Sequence, residues 1–183
     1  MTRSSLLPLL PLAPALLLGC HVGGGDQSWT FSQDIRGVDV VVGNGSVTAL
    51  PGAQDGVRID WSGGGVGNAR LRPEPYVHDG VVYLDADCGE ACGGDLTVWL
   101  PEGVAFSAMV DTGDVSVELP GRSDVRACAA MGSVYVEVPG GAWDMDLEVG
   151  VGGLSVQGVV DEPTSPERLE ACVAVGDLTI LGR

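Results

Sequence analysis

Lysine is absent from this chain of 183 residues, and all nine of its basic residues are arginine. That excludes Schiff-base chemistry and the lysine of a phosphate-binding loop. Against 25 acidic residues the arginines leave a net charge of −16. Neutralising a phosphate backbone needs clustered cations, so nucleic acid is not an expected partner. The acidity reads instead as a solvated surface that keeps the protein soluble. Histidine is scarce too, with only His21 and His78. A Ser-His or Cys-His pair would rest on His78 alone, and no Gly-x-Ser-x-Gly elbow accompanies it. Gly63-Gly64-Gly65-Val66-Gly67 follows a strand-like run but lacks dinucleotide spacing and a following helix, so it reads as a loop. No segment has a convincing helical period.

What the chain does contain is one phrase said repeatedly. It reads Gly94-Asp95-Leu96-Thr97-Val98, Gly113-Asp114-Val115-Ser116-Val117, Gly132-Ser133-Val134-Tyr135-Val136, Gly152-Gly153-Leu154-Ser155-Val156 and Gly176-Asp177-Leu178-Thr179-Ile180, at steps of 19, 19, 20 and 24 residues. An earlier copy begins at Gly45. Alternation on both sides of each glycine makes every unit a strand, a Gly turn and a strand. Pro101, Pro120 and Pro139 recur seven residues beyond the glycine and end the second strand. Repeats of this size stack, each burying its apolar face on its neighbours. The expected fold is therefore all-β, a single-domain β-solenoid of rungs of about 19–20 residues over residues 30–183. Further strands are expected at 38–42, 47–50, 57–61, 69–72 and 81–86, with Gly43-Asn44-Gly45 as a turn.

Before the repeats, Met1-Thr2-Arg3 precedes a proline-broken apolar stretch from Leu6 to Leu18, then Gly19 and Cys20. It is shorter than the roughly 20 residues of a spanning helix and reads as a secretory signal over 1–19. Its end resembles the lipobox of bacterial lipoproteins, which implies lipidation at Cys20 and a membrane anchor. Residues 20–29 are a Gly-rich tether. His21, where an aspartate would direct retention, makes the outer membrane the expected location. The Gly-Asp/Ser-Val-x-Val repeats, Val98-Trp99-Leu100-Pro101-Glu102-Gly103-Val104 and Gly43-Asn44-Gly45-Ser46-Val47 resemble the bacterial "putative adhesin" β-solenoid family, a domain of unknown function in exported proteins. The resemblance spans about residues 30–183 and implies adhesion, with no catalytic or binding residue to carry over.

With Cys20 lipidated, four cysteines remain in an exported chain, which suggests disulfides. Cys88 and Cys92 flank a short turn and are the expected pair. Cys128 and Cys172 occupy equivalent positions two repeats apart, roughly 9.5 Å if rungs stack in sequence order at about 4.8 Å. A disulfide rarely tolerates more than about 7 Å. Either the insertion at 159–166 displaces the last rung, or these cysteines stay reduced or pair elsewhere.

Stacking also predicts outward ladders. Thr97, Ser116, Tyr135, Ser155 and Thr179 form one; Trp99, Glu118, Glu137, Gln157 and Leu181 form another. Glu118 and Glu137 would be neighbours, destabilising unless a cation or proton intervenes, and are the weak candidates for a metal site. Asp95, Asp114 and Asp177 follow repeat glycines but lack the nonapeptide calcium phrase, and are expected to make local turn hydrogen bonds. Trp99 and Tyr135 are candidate binding-surface residues. No cofactor is expected. The function these features imply is non-enzymatic: a lipid-anchored envelope protein contacting a protein or glycan. One alternative is a structural or signalling accessory that self-associates through a C-terminal strand edge; a weaker one is a polysaccharide-acting β-helix enzyme.

Overall fold

A computed structural model describes residues 23–24, 26–32, 34–52, 56–65, 74–86 and 92–183. Cys20, Cys88 and the expected strand at 69–72 lie outside the described residues, and so therefore do the lipidation site, the signal segment and the Cys88–Cys92 pairing. The strands are β1 (Gly23–Gly24), β2 (Gln27–Phe31), β3 (Gly37–Asn44), β4 (Val47–Pro51), β5 (Val57–Gly65), β6 (Tyr76–His78), β7 (Val81–Ala86), β8 (Cys92–Leu100) and β9 (Ala105–Thr112). They continue with β10 (Val115–Glu118), β11 (Val125–Met131), β12 (Val134–Val138), β13 (Gly141–Val151), β14 (Leu154–Gln157), β15 (Val159–Asp161), β16 (Arg168–Val175) and β17 (Leu178–Gly182). No helix occurs among the described residues.

Two mixed sheets face one another. Sheet A runs β1-β5-β8-β4-β10-β12-β17-β14, with β2 also on β5; sheet B runs β15-β13-β16-β11-β9-β3-β7-β6. Each repeat contributes one strand to each sheet, and the repeat glycine makes the corner between them. Gly43-Asn44-Gly45 is such a corner and not a hairpin, since β3 and β4 lie in different sheets. Between rungs the pairing is parallel. The corner glycines share a left-handed backbone, with φ of 131° at Gly45, 137° at Gly113, 142° at Gly132, 143° at Gly176 and 145° at Gly152. A β-carbon on any of them would overlap the carbonyl oxygen of the repeat glycine in the adjoining rung, running Gly94 (inside β8), Gly45, Gly113, Gly132, Gly176, Gly152 across the stack.

Inward rows follow the parity read from the sequence. Leu96, Val47, Val115, Val134 and Leu178 form one row of sheet A, and Val98, Ala49, Val117, Val136 and Ile180 the next, all essentially inaccessible. Sheet B faces them with Val40, Ala108, Ala127 and Ala171 in its middle row. Burying each Val, Leu or Ile contributes about 1.5–3 kcal/mol, so the two rows supply much of the cohesion. The prolines act as expected, standing just beyond the ends of β8, β10 and β12.

Rung order is where the structure departs from expectation. A solenoid of consecutive rungs would place β16–β17 outside β13–β14, whereas β16 and β17 insert between β11–β12 and β13–β14. At the other end, β3–β4 lies between β7–β8 and β9–β10. The long step before Gly176 supplies the chain for the first exchange. After β14, β15 pairs along Gly141–Trp143 of β13, and the following loop crosses over β13 through Glu162 N–H to Trp143 O at 2.8 Å and Asp144 N–H to Glu167 O at 3.1 Å. β16 then returns inside β13. Cys128 and Cys172 thereby become direct partners on adjacent strands, with Cα atoms 4.5 Å apart and a disulfide between them. Of the alternatives left open by the spacing, displacement of the last rung is the one that occurs.

The same insertion corrects the expected C-terminal edge. β17 is paired on both sides, to β12 and β14, so the free edge of sheet A belongs to β14. The opposite end of the stack finishes in antiparallel strands, β5 on β8, β2 on β5 and β6 on β7.

Two outcomes follow from this packing. Gly132→Ala is expected to lose about 3 kcal/mol, the upper range for backbone strain, because its β-carbon meets a backbone carbonyl that cannot move aside. Gly103→Ala, also at positive φ (82°) but with open space around it, is expected to lose only about 1 kcal/mol. Urea unfolding of both variants measures the difference. Replacing Cys128 and Cys172 together by Ala, which opens a link across 44 residues, is expected to cost about 4 kcal/mol by loop-closure entropy, read from the same denaturation curves.

Candidate functional surface

The outer face of sheet A is where the expected ladders assemble, but in a new order. Residues between the inward rows form a polar row running Ser28, Asp60, Thr97, Thr48, Ser116, Tyr135, Thr179 and Ser155, one from each strand from β2 to β14. At normal strand spacing it extends about 34 Å. Six of its members carry an aliphatic hydroxyl and one a phenol. The row is a ready set of hydrogen-bond donors and acceptors on a flat support.

At the β5 end, the row runs into a hollow of about 390 Å³ lined by Asp26, Ser28, Arg58, Asp60, Ser62 and Thr97 among others. Ser62 donates to the Asp26 carboxylate at 2.8 Å. Arg58 grips Asp60 through Nε at 3.0 Å and Nη2 at 2.7 Å. Partial burial pushes the Asp60 carboxyl upward, but hydrogen bonds from Arg58 and Ser28 and the Arg58 charge outweigh it and hold the group below its ordinary value. Asp60 is therefore a charged acceptor at neutral pH.

Trp99 stands beside this hollow on the neighbouring row. Its ring is covered by the Arg58 guanidinium, 4.8 Å from the ring centroid, in a cation–π contact. Arg58 reaches it because β5 runs antiparallel on β8 with Arg58 opposite Trp99. No repeat signal announces that pairing, since β5 belongs to the antiparallel end strands and not to the rungs. Tyr135 lies three strands from β8, about 14 Å at normal spacing, so the two candidate aromatics do not share one platform.

Glu118 and Glu137 are direct neighbours, as the repeat predicts. The cation between them is a side chain: Arg183 Nη2 lies 3.4 Å from Glu118, and Arg183 Nε bonds Glu137. Tyr135 donates its hydroxyl to Glu137 at 2.8 Å. The pair considered for a metal is thus met by a guanidinium and a phenol. Among the described residues, no three or more His, Cys, Asp or Glu side chains converge to hold a metal ion.

The turn aspartates correct a further expectation. Their bonds are not local but reach across rungs: Asp95 Oδ1 accepts from Ser46 N–H at 3.1 Å, Asp114 from Ser133 N–H at 2.7 Å and Asp177 from Gly153 N–H at 2.8 Å. Each links one corner to the next, always towards β14. His78 is exposed, with its ring nitrogen 3.4 Å from the carboxylate of Asp79.

No protein-family model matches the chain, and no curated protein does. Solved structures match the chain at low identity. One is a "putative cell adhesion protein" from Clostridium sporogenes, at 12% identity and a TM-score of 0.51, covering 88% of this chain and all of the other. Another is a "putative adhesin" from Parabacteroides merdae, at 10% identity and a TM-score of 0.33, covering 88% of this chain and 98% of the other.

The Tyr135 phenol is held above the ordinary tyrosine value, first by its hydrogen bond to Glu137 and then by burial and the nearby carboxylates. A raised folded value means that the bond's stabilisation is complete below the ordinary value and is lost as pH rises through the raised one. Absorbance at 295 nm, taken as the difference between the parent and Tyr135→Phe, should show this titration above that of a free tyrosine. Glu137→Gln should bring it back down.

Proposed function

We propose that this protein is a non-enzymatic contact module of the bacterial envelope, adhesin-like, built on a solenoid-like stack and tethered to the membrane through lipidated Cys20. The observation that carries the contact reading is the hydroxyl row ending in the Asp60 hollow. Sugar hydroxyls are matched by such a surface: carboxylate acceptors at Asp26 and Asp60 and hydroxyl partners at Ser28, Ser62 and Thr97, with the Arg58-stacked Trp99 on the neighbouring row. A glycan is therefore the ligand this face fits best, with a protein loop of similar polarity as the other partner class. Fold similarity to the Clostridium sporogenes protein supports a contact role in the sense that its name carries.

Binding to a panel of bacterial and host glycans tests the reading. One or more should bind, and Thr97→Val combined with Trp99→Ala should weaken binding about tenfold by removing a hydrogen-bonding group and a contact surface. Failure of every glycan and of any polar peptide to bind the parent protein overturns it. In cells, fatty-acid labelling that persists in Cys20→Ser would overturn the anchor.

A further inference from the structure

Beyond the proposed contact role, the two ends of the stack differ in a way that carries its own consequence. The β5 end finishes in antiparallel strands that lie across the rungs, whereas at the other end β14 has no outer partner among the described residues and β13 has β15 only along Gly141–Trp143. The inward rows that are inaccessible elsewhere emerge here. Leu154 continues the row of Leu178 yet is 53% exposed, and Val156 continues the row of Ile180 yet is 37% exposed. Met145, Leu147 and Val149 of β13 are only half-buried on the facing sheet, and Val151 and Val160 are exposed beside them. Both sheets thus end in an open apolar edge at the same place.

We infer that this open end joins the same end of a second copy of the chain in a twofold dimer, with β13 of each protomer lying antiparallel to β14 of its partner. Among the described residues the β5 end finishes in short antiparallel strands, β2 and β6, and β2 exposes no large apolar side chain, so that end offers no match for the open rows and self-association through them is isologous and stops at two. A further parallel rung is not prepared for either. Inner corners use Asp95, Asp114 and Asp177 to bind the next rung's N–H, but the corner of the outermost rung carries Gly153 and has no such arm.

Charge selects which edges meet. β13 presents Asp146 and Glu148 outward, while β14 presents Ser155 and Gln157 and has no charged residue at all. Pairing β13 with β13 would set carboxylates against carboxylates, which is destabilising. A twofold axis along the strands, midway between the sheets, instead brings β13 against the neutral β14 and continues both apolar rows across the junction. An edge strand without charge, proline or bulge lacks the usual protection against pairing. The net charge of −16 opposes association, so the dimer should tighten as salt screens it.

Sedimentation equilibrium of the purified protein tests the inference. Twice the protomer mass is expected at micromolar concentration, with a dissociation constant that falls as salt rises from low to physiological strength. Val156→Arg should weaken the dimer at least about tenfold while Leu154→Ser, a milder change at the same edge, weakens it less. A second measurement avoids apolar positions altogether. A mixture of Ser155→Cys and Glu148→Cys proteins should form a disulfide-linked dimer on mild oxidation, and Ser155→Cys alone should not. A monomer at about 100 µM in high salt, larger polymers, or cross-linking of Ser155→Cys to itself would each overturn the proposal. The hollow proposed for a glycan lies at the other end of sheet A, so failure of the dimer and failure of glycan binding are separate outcomes.

Discussion

The column of corner glycines is the constraint on which the rest depends. At each corner the chain turns from sheet B into sheet A with φ near 140°, a region that L side chains rarely adopt, and its α-hydrogen faces a carbonyl of the adjoining corner. The absence of a β-carbon lets rungs approach to the spacing of paired strands, which makes the parallel ladders of both sheets possible. The turn aspartates then add a hydrogen bond from corner to corner where the sequence supplies one. The inward rows are apolar and buried except at the β13–β14 end, and the polar ladders lie outward.

That division sets what the outer face offers. Among the described residues, outward positions belong to flat ladders, where a side chain has like-placed neighbours on either side. Charges that the stacking forces together are resolved by side chains in the same face, as Arg183 does for Glu118 and Glu137. The polar hollow on sheet A arises where the repeat ends and β5 and β2 lie across it, because antiparallel strands bring Arg58, Asp60 and Ser28 against the ladder residues Thr97 and Trp99.

Much of this was legible from the chain. Parity around each glycine identifies the inward rows residue by residue, and the rung step alone places Glu118 beside Glu137. Cys128 and Cys172 show the limit of that reading. Their equivalent positions are plain, and so is the conflict between that equivalence and a stack in sequence order. Resolving it requires knowing that the loop crossing β13 returns β16 inside it. The Arg58–Trp99 stack was equally out of reach, since Arg58 lies in a strand with no repeat to register it.

By itself, then, the sequence determined the rung: its two strands, its glycine corner, its buried and outward faces, because these follow from a two-residue alternation and one backbone conformation that only glycine takes comfortably. Only the tertiary structure decided the order in which rungs stack. Rungs of near-identical shape fit one another equally well, so local pattern cannot choose their neighbours; the choice falls to the connecting segments. The crossing loop after β15 and the long connection between β4 and β7 set that order. With it they fixed the disulfide, the antiparallel end, the polar hollow and the open edge of β13 and β14.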